Sequence, residues 1–520
     1  MPTFYTAVLV SKIHQKRKYI MKTIQLLLLA MFAIALSSCE SEDIQSEGLR
    51  LDNSYSGTSA VNGGSSDISG EGYSPIVENP FVAVSEEPTS TFSIDADGAS
   101  YSNVRRFLND GVMPPVDAIR TEELINYFDY DYPNVLPGHP IALNGEVSTC
   151  PWEPAHKLIR IGLKGKDIPK AEVPPSNLVF LIDVSGSMQS PRKLGLLKEG
   201  FQLLLDELSP EDRVAIVTYA GSAGVVLPST PGSETEVIAQ AINQLEAGGS
   251  TAGAEGIISA YEIAQANFID GGSNRVVLGT DGDFNVGVSS QEGLIELIEE
   301  KRELGVFLTV LGFGTGNLQD AKMEQLANHG NGNYEYIDNI NQARKVFVQE
   351  LGKLYTVAKD VKVQVAFNDN LVEAYRLIGY ENRLLNNQDF EDDTKDAGEI
   401  GSNQAITALY EIKPAPAASS SLQQPSFTID FRYKLPDEDS SIPLSLEITD
   451  DGYSFAQASE SMRFAASVAS FGLLLRDSEY QGQTSYDAIS DWASSATYYD
   501  PEGYREEFLE LVSKARALDE

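Results

Sequence analysis

From Asn177 to about Leu354 the chain alternates between two hydrophobic patterns. Short runs are apolar almost throughout: LVFLIDV from Leu178, RVAIVTYA from Arg213, RVVLGTD from Arg275, VFLTVLGFG from Val306 and YEYID from Tyr334. Between them lie stretches with apolar positions three and four apart, such as KLGLLKEGFQLLLDEL from Lys193 and AEGIISAYEIAQANF from Ala254. A strand apolar on both faces belongs in a sheet covered on both sides, and helices between successive strands make such a sheet parallel. The pattern predicts an α/β unit with a doubly wound, mostly parallel sheet over residues 176–354.

On either side of that unit the period is two. KLIRIGLKG from Lys157 follows alternating residues from Ile141, and VKVQVAFN from Val361, EAYRLIGYE from Glu373, AITALYEIKP from Ala405, SFTIDFRYKLP from Ser426 and SIPLSLEIT from Ser441 come later. Alternation with polar turns predicts antiparallel strands in a sandwich. The two groups are expected to join into one β domain into which the α/β unit is inserted, with Pro174 and Pro175 as a hinge. By segment, this gives an N-terminal associated region at 80–170, a β-rich region at 355–460 and a helical C-terminal region at 461–520. RTEELINYFDYDYP carries helical spacing at Leu124, Ile125 and Phe128.

Ahead of residue 80 the composition changes. Residues 40–79 are Ser, Gly and acid with few large apolar side chains, which cannot bury enough surface to offset ordering entropy, so a flexible stalk is expected. From Met21, the expected start, MKTIQLLLLAMFAIALSSC combines a basic residue, an apolar run and small residues before Cys39. This is the form of a signal peptide ending at residue 38. Leu36, Ser37, Ser38 and Cys39 resemble a bacterial lipobox, which implies acylation of Cys39 and a lipidated linker over 39–79. Glu40, Ser41, Glu42 and Asp43 resemble the acidic export signal of surface lipoproteins. The expected location is the bacterial cell envelope, at the outer membrane and held by the lipid anchor alone, with surface exposure if the acidic run is an export signal and not simply a solvated tether. With Cys39 acylated, Cys150 has no intrachain partner, so no disulfide framework or cysteine metal site is expected.

The candidate chemistry lies where the first apolar strand of the α/β unit ends. Asp183, Ser185 and Ser187 occupy the loop after it, ahead of Ser190 and Pro191, which read as a helix N-cap and first helical position. In a doubly wound sheet such loops open at the carboxyl edge, where ligands bind. GGST at 248–251 and TDGDFN at 280–285 are expected at the same edge, bringing Thr251 and Asp281, with Asp283 read as a solvated loop acid. These donors are oxygen only, a set suited to a hard cation: magnesium, with manganese or calcium as alternatives.

Asp183, Ser185, Ser187, Thr251 and Asp281 resemble the metal-ion-dependent adhesion site (MIDAS) of von Willebrand factor type A domains. The resemblance implies serine and threonine hydroxyls in or near the first shell, aspartates often acting through water, and an open position taken by a carboxylate of a protein partner. STFSIDADGASYSNVRRFLNDG, EELINYFDYDYP, TDGDFNVG, YRLIGYENRLL and DAGEIG are similar to segments of the YfbK-like bacterial lipoproteins across nearly the whole mature chain. The implied function is non-enzymatic, metal-dependent protein binding or adhesion. The alternative is a metal-dependent envelope hydrolase with Asp283 as base; a third, an ATPase assembly partner, is disfavoured by the export signal.

Charge narrows the partners. Lys and Arg total 38 against 76 Asp and Glu, and five of the bases precede residue 39. Such a surface repels phosphate backbones and excludes nucleic acid as a partner. Other motifs fail on spacing. Asp95-Ala96-Asp97-Gly98 lacks the EF-hand Gly and Glu, having Ser100 and Arg106 instead, and reads as a turn. Ser190 to Lys193 has the SxxK form without its partner motifs. His139, His156 and His329 sit in no triad context, and GFGTGN at 312–317 is not a phosphate loop.

Overall fold

The parallel arrangement expected for residues 176–354 is present, and burial explains it. In the computed structural model, which describes residues 70–520 except 95–96, 136–137, 221–222, 250–253, 283–290, 396 and 417–423, six strands form one sheet. Their order is Tyr334–Ile337, Phe307–Phe313, Ser273–Thr280, Ser176–Asp183, Arg213–Tyr219 and Ala223–Pro231. The first five run parallel and the last antiparallel. Every residue of Ser176–Asp183 is buried. Val179 and Leu181 face one helical layer with Ile257 and Leu294, while Leu178, Phe180 and Ile182 face the other with Leu197 and Phe201.

The chain winds outward in both directions from the pair Ser176–Asp183 and Ser273–Thr280, so the crevice at their carboxyl ends is the topological switch point. The edge strand Ala223–Pro231 escaped the sequence pattern because Gly224, Val225, Val226 and Pro228 are exposed. A proline is tolerated at a sheet edge, where no ladder bond is lost.

Strands from before and after this unit are interleaved in two antiparallel sheets. One runs Val82–Ala83, Val372–Ile378, Ala405–Pro414, Lys157–Gly165, Ile141–Thr149. The other runs Leu384–Leu385, Thr89–Ser93, Thr356–Phe367, Phe427–Lys434, Ile442–Ile448, with Gly398–Gly401 paired to Thr356–Phe367. Ile159, Ile161 and Tyr410 of the first share a core with Val363, Ile429 and Phe431 of the second. The α/β unit is therefore inserted into a β-sandwich, and its two ends meet where the Ser176 hydroxyl lies 3.0 Å from the Tyr355 hydroxyl.

The C-terminal helices Glu460–Leu475, Tyr486–Ser494 and Tyr504–Asp519 form a third core with Ala99–Asn109 and Thr121–Asn126. Phe128, Phe464 and Phe508 meet there edge to face. Phe128 thus packs as its spacing suggested, although the helix stops at Asn126. Ala99–Asn109 was not assigned from the sequence although Tyr101, Val104 and Leu108 are helically spaced; Ser100, Ser102, Asn103, Arg105 and Arg106 are buried along with its apolar residues. Arg105 reaches out of it to Asp338 at 2.6 Å and Glu507 at 2.9 Å, tying helical layer and α/β unit together. Among the described residues no helix is long and apolar enough to cross a membrane. The leader, Cys39 and the stalk to residue 69 lie outside the described residues; residues 70–79, expected to continue the flexible stalk, instead pack on the fold, Glu71 pairing with buried Arg106 at 2.9 Å and Asn79 Nδ2 donating to the Gly379 carbonyl at 2.8 Å.

Candidate metal centre

Asp183 is the last residue of its strand and is fully buried. Its Oδ1 accepts the Ser185 backbone N–H at 2.8 Å, and its Oδ2 accepts the Tyr219 hydroxyl at 3.2 Å and the Thr280 hydroxyl at 3.4 Å. Tyr219 and Thr280 end the two flanking strands, so the sheet register itself orients the carboxylate. Burial holds the Asp183 carboxyl above its ordinary range, and the charge of Asp281 adds to this against the hydrogen bonds from Ser185 and Tyr219. A carboxylate under that strain gains from a nearby cation.

The Ser185 and Ser187 hydroxyl oxygens lie 2.9 Å apart. Ser185 is buried and Ser187 exposed, so the pair spans from the sheet edge to solvent. Neighbouring vertices of an octahedron with magnesium–oxygen bonds of about 2.1 Å are separated by about 3.0 Å. The two hydroxyls share a hydrogen bond at a separation that two ligands of one small divalent ion would also have, and the donor set is hard oxygen throughout. The residues fit the expected group on those two grounds.

Asp281 follows the strand Ser273–Thr280 and is also fully buried. Its Oδ2 accepts the Lys193 ammonium at 2.8 Å, and the same ammonium donates to Asn317 Oδ1 at 3.1 Å. Burial pushes the Asp281 carboxyl up, but hydrogen bonds from Lys193 and Ser187 and the lysine charge outweigh it, leaving it below its ordinary value. Gly282, at φ +104, makes the turn: a Cβ there would stand 2.5 Å from the Gln319 N. Lys193 entered the sequence reading only as the lysine of an incomplete SxxK pattern, because its stem crosses to the far loop over Gly314, and no local pattern announces such a contact.

The third loop is stitched to the first. Gly248 N–H donates to the Val184 carbonyl at 2.7 Å, and Gly186 N–H donates to the Gly249 carbonyl at 3.2 Å. Thr251, two residues on, lies outside the described residues, as does Asp283. Four of the five expected residues, Asp183, Ser185, Ser187 and Asp281, therefore stand on described loops linked through Ser187 and Asp281. Sequence reasoning also missed Tyr219, Thr280 and Asn317, each recognisable only as the residue at or just past a neighbouring strand's end.

The remaining motifs have structural roles. Ser190 caps its helix, its hydroxyl accepting Arg192 N–H at 3.3 Å with Pro191 first. Asp97 accepts the Tyr334 N–H at 2.6 Å, a tertiary contact. His156 Nδ1 lies on Glu411 and His329 Nδ1 on Glu299.

Residues 177–349 match the von Willebrand factor type A domain family, residues 352–518 the family described as "Uncharacterized protein YfbK, C-terminal", and residues 67–160 that described as "von Willebrand factor". The chain is 42% identical over 466 residues to uncharacterized protein YfbK of Escherichia coli, covering 85% of this chain and 80% of that one. It is 31% identical over 150 residues to a UPF0353 protein of Mycobacterium sp., covering 26% of this chain and 44% of that one. Of solved structures, a von Willebrand factor type A protein from Catenulispora acidiphila aligns over 71% of this chain and 88% of its own at 14% identity and TM-score 0.39. The hypothetical protein BatB from Bacteroides thetaiotaomicron aligns over 34% and 98% at 23% identity and TM-score 0.29.

Proposed function

We propose a function that proceeds from family: the chain belongs to the YfbK family, whose members carry a von Willebrand factor type A domain. It is an envelope lipoprotein, anchored at the outer membrane through Cys39, that binds a protein partner through a divalent ion and is not an enzyme. Ser185, Ser187 and Thr251 supply hydroxyls to the ion, and Asp183 and Asp281 supply its charge balance. When bound, the ion offers a Lewis-acidic position to a carboxylate of the partner. With two carboxylates offset by the Lys193 ammonium, an ion of charge two leaves the site net positive, which favours an acidic ligand locally in an otherwise acidic chain.

The observation that carries this reading is the 2.9 Å spacing of the Ser185 and Ser187 hydroxyls beside the buried carboxylates. One ion contact does not make a specific complex, since a stable interface buries around 1,600 Å². The surrounding loops and the sandwich must add the rest. The test is calorimetric titration of the mature chain with MgCl2, MnCl2 and CaCl2, comparing wild type with Asp183→Asn. The variant keeps the side chain's shape and is expected to lose divalent binding; equal affinity in the two proteins would sink the proposal.

A further inference from the structure

Among the described residues seven arginines are buried, and six of them hold a carboxylate: Arg105 with Asp338, Arg106 with Glu71, Arg120 with Asp320, Arg160 with Glu146, Arg376 with Glu411 and Arg505 with Glu460. Arg275 is the exception. It is 2% exposed, its Nη1 donates to the neutral Thr309 hydroxyl at 2.8 Å, and its Nε has no partner. Its other contact is the Phe307 ring, 5.5 Å away. Burial pushes the guanidinium down to about 10 despite the field of Glu399. A buried charge without a counter-ion is costly, and a fold that has paired its other six arginines does not otherwise explain the seventh.

Arg275 lines a cleft of about 820 Å³ between the α/β unit and the sandwich, within the size range of small-molecule sites. The cleft is more polar than an ordinary ligand pocket. Asn331, Asn333 and Gln404 line it with amides, and Lys322, Lys353 and Arg383 add further cations, Lys353 paired with Glu350 at 2.9 Å and Arg383 with Glu324 at 3.4 Å. Glu399 lines it too, its Oε1 accepting from Asn331 Nδ2 at 2.7 Å. Amides donate and accept at once, which suits hydroxyl-rich ligands, and a guanidinium edge suits an oxyanion.

We propose that this cleft is a binding site for an acidic sugar, its carboxylate or phosphate received by Arg275 and its hydroxyls by the amide walls. The site is separate from the metal centre: Arg275 lies near the start of its strand, whereas Asp281 follows the end of the same strand. The test uses the mature full-length chain in EDTA, so that the metal site plays no part, with glucuronate, glucose 6-phosphate, glucose, acetate and inorganic phosphate as probes in calorimetry and thermal unfolding. Glucuronate, glucose 6-phosphate or both are expected to bind at least about tenfold more tightly than glucose, acetate or phosphate, and Arg275→Met to bring them to the level of glucose. Which of the two binds fixes the oxyanion as carboxylate or phosphate. Glucuronate and glucose 6-phosphate both binding no better than glucose, acetate or phosphate matching the sugars, or unchanged binding by Arg275→Met would each overturn the proposal. The wild-type comparisons decide even if the variant does not fold.

Discussion

Replacing Lys193 by Met isolates the charge beside the metal centre. The lysine stem lies over Gly314, whose added Cβ would meet Lys193 Cε, Cγ and Cδ, and a methionine of similar length keeps that packing. What disappears is the ammonium 2.8 Å from Asp281 Oδ2, in a pair whose side chains are 10% and 0% exposed. At an effective dielectric near 20 the gross attraction at that distance is about 6 kcal/mol. Removing one member of a buried pair costs about 3–5 kcal/mol, because the other charge remains. The variant in EDTA is therefore expected to lose about 3–5 kcal/mol of unfolding free energy in urea melts followed by tryptophan fluorescence. Under saturating MgCl2 the ion supplies the missing counter-charge, and the deficit is expected to shrink to about 1 kcal/mol. A deficit of the same size with and without magnesium would mean that no ion takes up Asp281, and the electrostatic reasoning would fail.

Three further outcomes are expected. Gly282→Ala forces a Cβ onto a residue at φ +104 and against Gln319 N, so it should cost about 2 kcal/mol or more and weaken magnesium binding in calorimetry by moving Asp281. Arg105→Met leaves Asp338 buried without its cation and should lower stability by about 3–5 kcal/mol in the same urea melts; a loss below 1 kcal/mol would contradict the bridging role. Glu122 is buried, and burial with the charges of Glu381 and Glu123 raises its carboxyl to about 8. The folded state therefore holds a proton that the unfolded chain releases near its ordinary value. That contribution is complete below about pH 4.5 and is lost as pH rises through about 8. Glu122→Gln should flatten the fall in stability between pH 5 and pH 9, and an unchanged slope would show that Glu122 does not set it.

The alternating parallel strands were legible because a strand such as Ser176–Asp183, covered on both faces, must be apolar along its length. The split sandwich was legible because one-sided burial writes a period of two, as in Ile442–Ile448. Ala99–Asn109 carried helical spacing at Tyr101, Val104 and Leu108 that went unassigned, and the burial of its polar residues through ion pairs is what periodicity does not record. At the metal centre Asp183, Ser185, Ser187 and Asp281 could be found because strand ends are visible in hydropathy. Lys193 could not, as its partner lies 88 residues away in sequence, and Arg275 passed as an ordinary strand residue until its lack of a carboxylate was seen.

The 3.0 Å contact between Ser176 and Tyr355 means that the whole α/β cassette leaves its host through a single doorway. Closely spaced ends are what make one domain tolerable as a guest within another. Evolution could therefore exchange the inserted unit for another without re-threading the sandwich, and an engineer could graft it between two strands of an unrelated carrier.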